Sequence, residues 1–255
     1  MRFILIVFIG LLSGLVQAQQ LEITPLTTNF YVYTTKKVMD DEVVPSNSMY
    51  LVTNEGVVLF DTPWDSTQLQ PLLDTIMARH NKKVVMSIST HYHADRTEGL
   101  TYLASKGIKT YSYLKTYELG KLKDEELAEH IIYSDTTFKI GNYTFETFYP
   151  GAGHTPDNIV VWFPLQKVLY GGCFVKSTKT PSIGYIGDAS MSSWKRSVKK
   201  VEKKYKHPEY ITWMAGIIFF DAISTLAFAR LRQENRPKRY AFARMASVLM
   251  NILVV

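Results

Sequence analysis

Apolar positions along the chain change period several times, and the changes mark the elements. Residues 30–33, 49–52 and 57–60 are short runs of aromatic and β-branched side chains, the composition of strands that bury at least one face. Thr53-Asn54-Glu55-Gly56 between the last two predicts a hairpin turn. Leu69, Leu72, Leu73, Ile76 and Met77 then recur at spacings that line one face of a helix. Ser66 is placed to cap it, and Pro71 is expected to hold back its regular part until after the first turn. The segment Val84-Val85-Met86-Ser87-Ile88-Ser89-Thr90 predicts a buried strand. A polar loop, a helix from about Thr97 to Gly107, a strand over 108–113 and a charged helix through Leu127 are expected to follow.

The second half repeats the idea. Residues 138–145 alternate around Gly141-Asn142 and predict a hairpin with a two-residue turn. Strands are expected over 159–163 and 168–170. A helix from about Asp188 would carry Met191, Trp194, Val198, Val201 and Tyr205 on one face. Two mixed halves of this kind predict an α/β fold, a four-layer αβ/βα sandwich in which two mixed sheets pack face to face with helices outside.

The ends read differently from the body. Met1-Arg2 is a basic start, residues 3–16 are apolar with small interruptions, and Val16-Gln17-Ala18 has the pattern that signal peptidase reads. Residues 1–18 are therefore expected to be a signal peptide, and the mature chain to be periplasmic or secreted. The apolar run is short for a membrane span, so no stable span is expected.

In an oxidising compartment cysteines usually pair, yet Cys173 is the only one. It is either a small buried apolar residue or a thiolate held by metal. The net charge of +6 is concentrated: residues 218–255 hold six Lys/Arg against two acids, and Arg2 leaves with the leader. The body, 19–217, is near neutral. It is read as lacking a basic stripe, so no nucleic acid is expected as a partner.

Candidate chemistry gathers at three places. His91, His93 and Asp95 follow the apolar run 84–90 directly, and in an extended chain their alternation would point them to one side. Two imidazoles and a carboxylate suit Zn²⁺. His154 lies among glycines in Gly151-Ala152-Gly153-His154-Thr155-Pro156-Asp157-Asn158, and Cys173 follows Gly171-Gly172, with Lys176 three residues on. Glycines there allow the close approach or positive φ that a ligand-presenting loop needs. The remaining histidines look structural or solvated: His80 as a cation at a helix C-terminus, His130 and His207 in charged surroundings.

Taken together, His91-x-His93-x-Asp95, Gly153-His154-Thr155-x-Asp157-Asn158 and Gly172-Cys173-x-x-Lys176, with Phe60-Asp61-Thr62-Pro63-Trp64 before them, resemble the class B metallo-β-lactamases from about residue 21 to about 210. Arg96 and Cys173 stand where glyoxalase II and the lactonases carry a His and a bridging Asp. His91 and Cys173 further select the first lactamase subclass. The resemblance implies zinc-dependent hydrolysis of the β-lactam amide bond in penicillins, cephalosporins and carbapenems, and so antibiotic resistance. It implies one Zn²⁺ on His91, His93 and His154 and a second on Asp95 and Cys173, with Asp95 also orienting the nucleophile. Lys176 would bind the substrate carboxylate, and Tyr185 stands where many members place a substrate-contacting Asn. With small-molecule substrates, a monomer is expected. The alternatives are an impaired zinc-binding homologue and another metallo-hydrolase of the superfamily.

One departure sets an expectation of its own. The family's last ligand comes from a Gly-His pair, where this chain reads Trp213-Met214-Ala215-Gly216-Ile217, and no His follows position 207. A missing C-terminal His would leave the second site short, with one tight zinc and reduced activity. The basic and apolar tail 218–255, lying outside the domain 19–217, is either an extension, as a basic amphipathic surface helix, or, the reading preferred, the product of a reading-frame change near 211–217.

Overall fold

The computed structural model describes residues 21–39, 42–176 and 183–205. The leader, the segment 211–217, the tail 218–255 and His207 lie outside the described residues. Chain order runs β1 (Glu22–Thr27), β2 (Phe30–Met39), β3 (Glu42–Val52), β4 (Val57–Phe60), α1 (Leu69–His80) and β5 (Val84–Ser89). It continues through α2 (Ala94–Thr97), α3 (Leu100–Ser105), β6 (Lys109–Tyr113), α4 (Leu114–Lys123) and β7 (His130–Ile132). The second half holds β8 (Thr136–Ile140), β9 (Tyr143–Phe148), β10 (Val160–Phe163), β11 (Val168–Tyr170) and α5 (Met191–Tyr205).

Strands β1 to β7 form a seven-stranded mixed sheet in sequence order, antiparallel up to β4 and parallel from β4 onward. The second sheet has the order β11-β10-β9-β8. Side-chain alternation assigns the layers. Met49, Leu51, Val58 and Phe60 face inward onto Phe145, Val161 and Phe163 of the second sheet. Their neighbours Tyr50, Val57 and Leu59 face outward onto Leu69, Leu72 and Ile76 of α1 and Leu103 of α3. Val160, also outward, meets Trp194, Val198 and Val201 of α5. Both faces of β4 and β10 are thus covered, which is why those runs are apolar without a break. The result is the α/β sandwich with helices outside both sheets.

Several boundaries differ from the pattern. Pro71 does not delay α1: the helix begins at Leu69, which places proline in the first turn, where its missing N–H costs nothing. The helix expected from Thr97 is broken in two by Gly99 at φ +89. The charged helix stops at Lys123 because Asp124 takes a left-handed conformation. Strands β2 and β3 extend well beyond their apolar runs, since cross-strand pairing from Phe30↔Leu51 to Met39↔Glu42 carries polar residues along. His80 is not the cation expected at a helix end. Burial and neighbouring Arg79 push its pKa down, and its Nε2 lies 3.0 Å from the Tyr50 hydroxyl.

Candidate metal centre

The His-x-His-x-Asp segment starts where β5 ends, and a buried polar floor fixes that start. Asp61, just past β4, accepts hydrogen bonds from Thr90 N at 2.6 Å, Thr90 Oγ1 at 2.8 Å and the Tyr170 hydroxyl at 2.6 Å. After Thr90 the chain bends rather than staying extended, and α2 begins at Ala94 with His93 as its N-cap in extended conformation. Asp95 therefore reaches His91 as an i,i+4 neighbour, Oδ1 to Nε2 3.7 Å, and the expected period-two alternation does not set its direction.

The His154 loop is held from both sides. Asn158 accepts from Thr155 N at 3.1 Å and donates to Gly151 O at 3.0 Å. Ser197 of α5 donates to Ala152 O at 2.7 Å. A Cβ at Gly153 would stand 2.5 Å from the Phe174 ring, so only glycine lets the loop settle there. Gly172, at φ +51, lies against Thr90 and would clash with its Oγ1 at 2.3 Å if it carried a Cβ. These two glycines bring His154 and Cys173 to the end of β5.

Two ligand groups result, His91 with His93 and His154, and His91 with Asp95 and Cys173, the ligand atoms of each lying within 4.8 Å of one another. The donor chemistry fits zinc. Among the described residues, neither ring nitrogen of the fully buried His91 nor Nδ1 of His154 has a hydrogen-bond partner, a costly state for buried polar atoms that an ion would relieve in part by taking the one lone pair each neutral imidazole offers. Burial and the neighbouring imidazoles push the His91 pKa well down, and burial with Lys176 pushes His154 down to about 3, so both are neutral lone-pair donors. Burial raises the Cys173 thiol to about 11 while Arg96 pulls it back, so Cys173 is held as a thiol that would have to give up its proton to ligate a metal.

The expectation of an incomplete ligand set is corrected here. The triad His91/His93/His154 is intact, and His91 supplies the histidine that joins Asp95 and Cys173 in an Asp-Cys-His group. Neither group draws on the C-terminal segment, so a missing C-terminal His is no ground for doubting the activity.

Sequence reasoning missed the residues behind the ligands. The His93 Nε2–H donates to Asp188 Oδ2 at 3.0 Å, which leaves Nδ1 as the lone-pair donor. Burial pushes Asp188 up, but hydrogen bonds from Tyr92 and His93 win and leave its carboxyl below the usual range. Arg96 lies beneath the second group: Nη2 donates to Cys173 Sγ at 3.0 Å and Nε ion-pairs Asp95 Oδ2 at 3.0 Å. Asp188, 15 residues past Cys173, carries no local sequence signal. Lys176 is half-buried with Nζ against Gly184. Tyr185 is exposed, its ring centroid 5.7 Å from that of His93.

Asp188→Ala is expected to weaken zinc binding by about 10–100-fold, because it frees the His93 ring and its tautomer. Competition against a chromophoric chelator measures this; an unchanged affinity would show that the 3.0 Å contact orients nothing.

Residues 41–207 match the family described as the metallo-beta-lactamase superfamily. The chain belongs to that superfamily. It is 39% identical over 215 residues to a metallo-beta-lactamase type 2 of Elizabethkingia meningoseptica, covering 83% of this chain and 86% of that protein. A Bacillus cereus metallo-beta-lactamase type 2 is 40% identical over 185 residues, 72% of each chain. The crystal structure of metallo-beta-lactamase IND-7 superposes with a TM-score of 0.70 at 43% identity, over 74% of this chain and 87% of that one. With its three-His and Asp-Cys-His groups, this superfamily member has the class B, first-subclass di-zinc architecture.

Proposed function

We propose that this superfamily hydrolase opens the β-lactam amide bond of penicillins, cephalosporins and carbapenems, and so confers antibiotic resistance. The observation that carries the reading is the pair of ligand groups sharing His91, with the Asp95 carboxylate 3.7 Å from that ring. Zinc bound here supplies Lewis acidity, polarising a carbonyl and lowering the pKa of water from about 15.7 to roughly 7. The chain's residues do the rest. His91, His93 and His154 present ring nitrogens from positions fixed by Asp61 through Thr90, by Asp188 and by Ser197 on the His154 loop. Asp95 is placed to orient the attacking water and take its proton. Lys176 binds the carboxylate that these substrates share, and Tyr185 covers the rim beside His93. The apolar leader over 3–16 supports export to the periplasm or medium, where such substrates are met. We take 19–217 as the catalytic domain and the monomer as the working unit.

Loss of lactam absorbance with purified protein and a carbapenem tests the activity directly; no turnover with zinc present would leave only the superfamily assignment. Lys176→Ala is expected to raise KM about tenfold for carboxylate-bearing lactams with little change in kcat, since it removes binding common to ground and transition states. An unchanged KM in the folded variant would show that Lys176 does not bind the substrate carboxylate.

A further inference from the structure

Helix α5 carries Lys195, Arg196, Lys199, Lys200, Lys203 and Lys204 against Glu202, a net +5 from six cations and one acid. All six cations are exposed, whereas Trp194, Ser197, Val198 and Val201 are buried. Spacing sorts the cations into two parallel rows, 195/199/203 and 196/200/204, each stepping about 6 Å along the helix. Residues 21–190 hold 15 Lys/Arg against 19 Asp/Glu, a net −4. The near-neutral body is therefore two opposed charges, and the reading that it lacks a basic stripe is corrected.

Helix stability does not account for these rows. A merely solvated helix face gains from opposite charges four residues apart, and like charges at that spacing cost stability. Among the described residues, Lys204 alone of the six forms an ion pair, with Asp135 at 3.4 Å. Among the described residues, this helix offers nucleic-acid bases no exposed stacking platform, because Trp194 is buried and Tyr205 is half-buried. A straight, convex double row of flexible cations suits a flat field of mobile anions.

We propose that the outer face of α5 docks on an anionic membrane surface, its six cations meeting the phosphate headgroups of acidic phospholipids. No part of the helix enters the hydrocarbon, in keeping with the finding that no described helix is long and apolar enough to cross a membrane. The buried face meanwhile holds the His154 loop through Ser197 and lies beside His154 through Trp194, ring centroids 6.0 Å apart. Docking would therefore keep the metal centre near the membrane without touching its residues. The proposal does not depend on which substrate the enzyme takes.

Cosedimentation of the full chain with phosphatidylglycerol-containing vesicles tests it, against pure phosphatidylcholine vesicles and at about 0.05 M and 0.5 M salt. Binding is expected only to the acidic vesicles and only at low salt. The triple variant Lys195→Gln, Lys199→Gln, Lys203→Gln is expected to lose at least about tenfold in partition coefficient, while the triple Lys→Arg variant retains it, with unchanged circular dichroism in both. Wild-type binding by the Gln variant would move the interaction to other cations of the chain and overturn the proposal. Equal binding to neutral vesicles, no binding at low salt, or equally tight binding to duplex DNA would each overturn it as well.

Discussion

Exhaustive chelation is expected to lower β-lactam turnover by roughly a thousandfold or more, and stoichiometric zinc to restore it. The size follows from what remains without metal. His91 and His154 are neutral and held well below their ordinary pKa by burial, so neither can stand in as a charged electrophile. Asp95 has Arg96 Nε on its Oδ2 at 3.0 Å and could at most act as a base toward ordinary water. Ser-x-x-Lys spacing does occur at Ser112/Lys115, Ser192/Lys195 and Ser197/Lys200, but Lys115 donates to the Tyr149 hydroxyl at 3.1 Å, Ser197 donates to Ala152 O, and Ser192 and Lys195 lie exposed on α5, so none is placed as a serine site. Cobalt substitution gives an independent readout: a thiolate-to-cobalt absorption band that disappears in Cys173→Ser places the ion on the second group. Activity that survives chelation would sink the metal mechanism, and a band that survives Cys173→Ser would sink the ligand assignment.

How far the chain could be read from sequence depended on whether the cause was local. The three ligand motifs were legible because each is short, adjoins an apolar strand or a glycine pair, and uses residue types that are costly to bury without a partner. Layering was legible too, because residues 57–60 and 160–163 are apolar on both faces. Long-range consequences were not. Pairing with β3 carries β2 out to Met39, and no periodicity in residues 34–39 announces it. The cation rows of α5 were visible in the letters, yet a charge summed over the whole body hid them. The residues that steer the ligands, Asp188 and Arg96, act across separations of 95 and 77 residues. Their partners became visible only with the fold.

Asp61→Ala is expected to cost about 3–5 kcal/mol of stability, because it removes one partner from a buried ion pair and strands the donors around it. The Asp61 side chain is fully buried. It accepts from Thr90 twice, from the Tyr170 hydroxyl at 2.6 Å and from Arg96 Nη1 at 3.4 Å. Burial pushes its carboxyl up, while Arg96, Tyr170 and Thr90 pull it back down. In the Ala variant Arg96 would keep Asp95 and Cys173 but lose its counter-ion on the floor, and Thr90 N would lose its acceptor where the His91 turn begins. Zinc affinity is therefore expected to fall along with thermal stability, by about 10 °C at roughly 2–4 °C per kcal/mol. Asp61→Asn separates the two effects: its amide oxygen can still accept from Thr90 N, so stability should recover in part, while the charge facing Arg96 stays lost. Calorimetry on the zinc-free forms isolates the fold from the metal. An Ala variant that melts with the wild type would mean that the floor beneath the metal centre is held by the surrounding apolar layers alone.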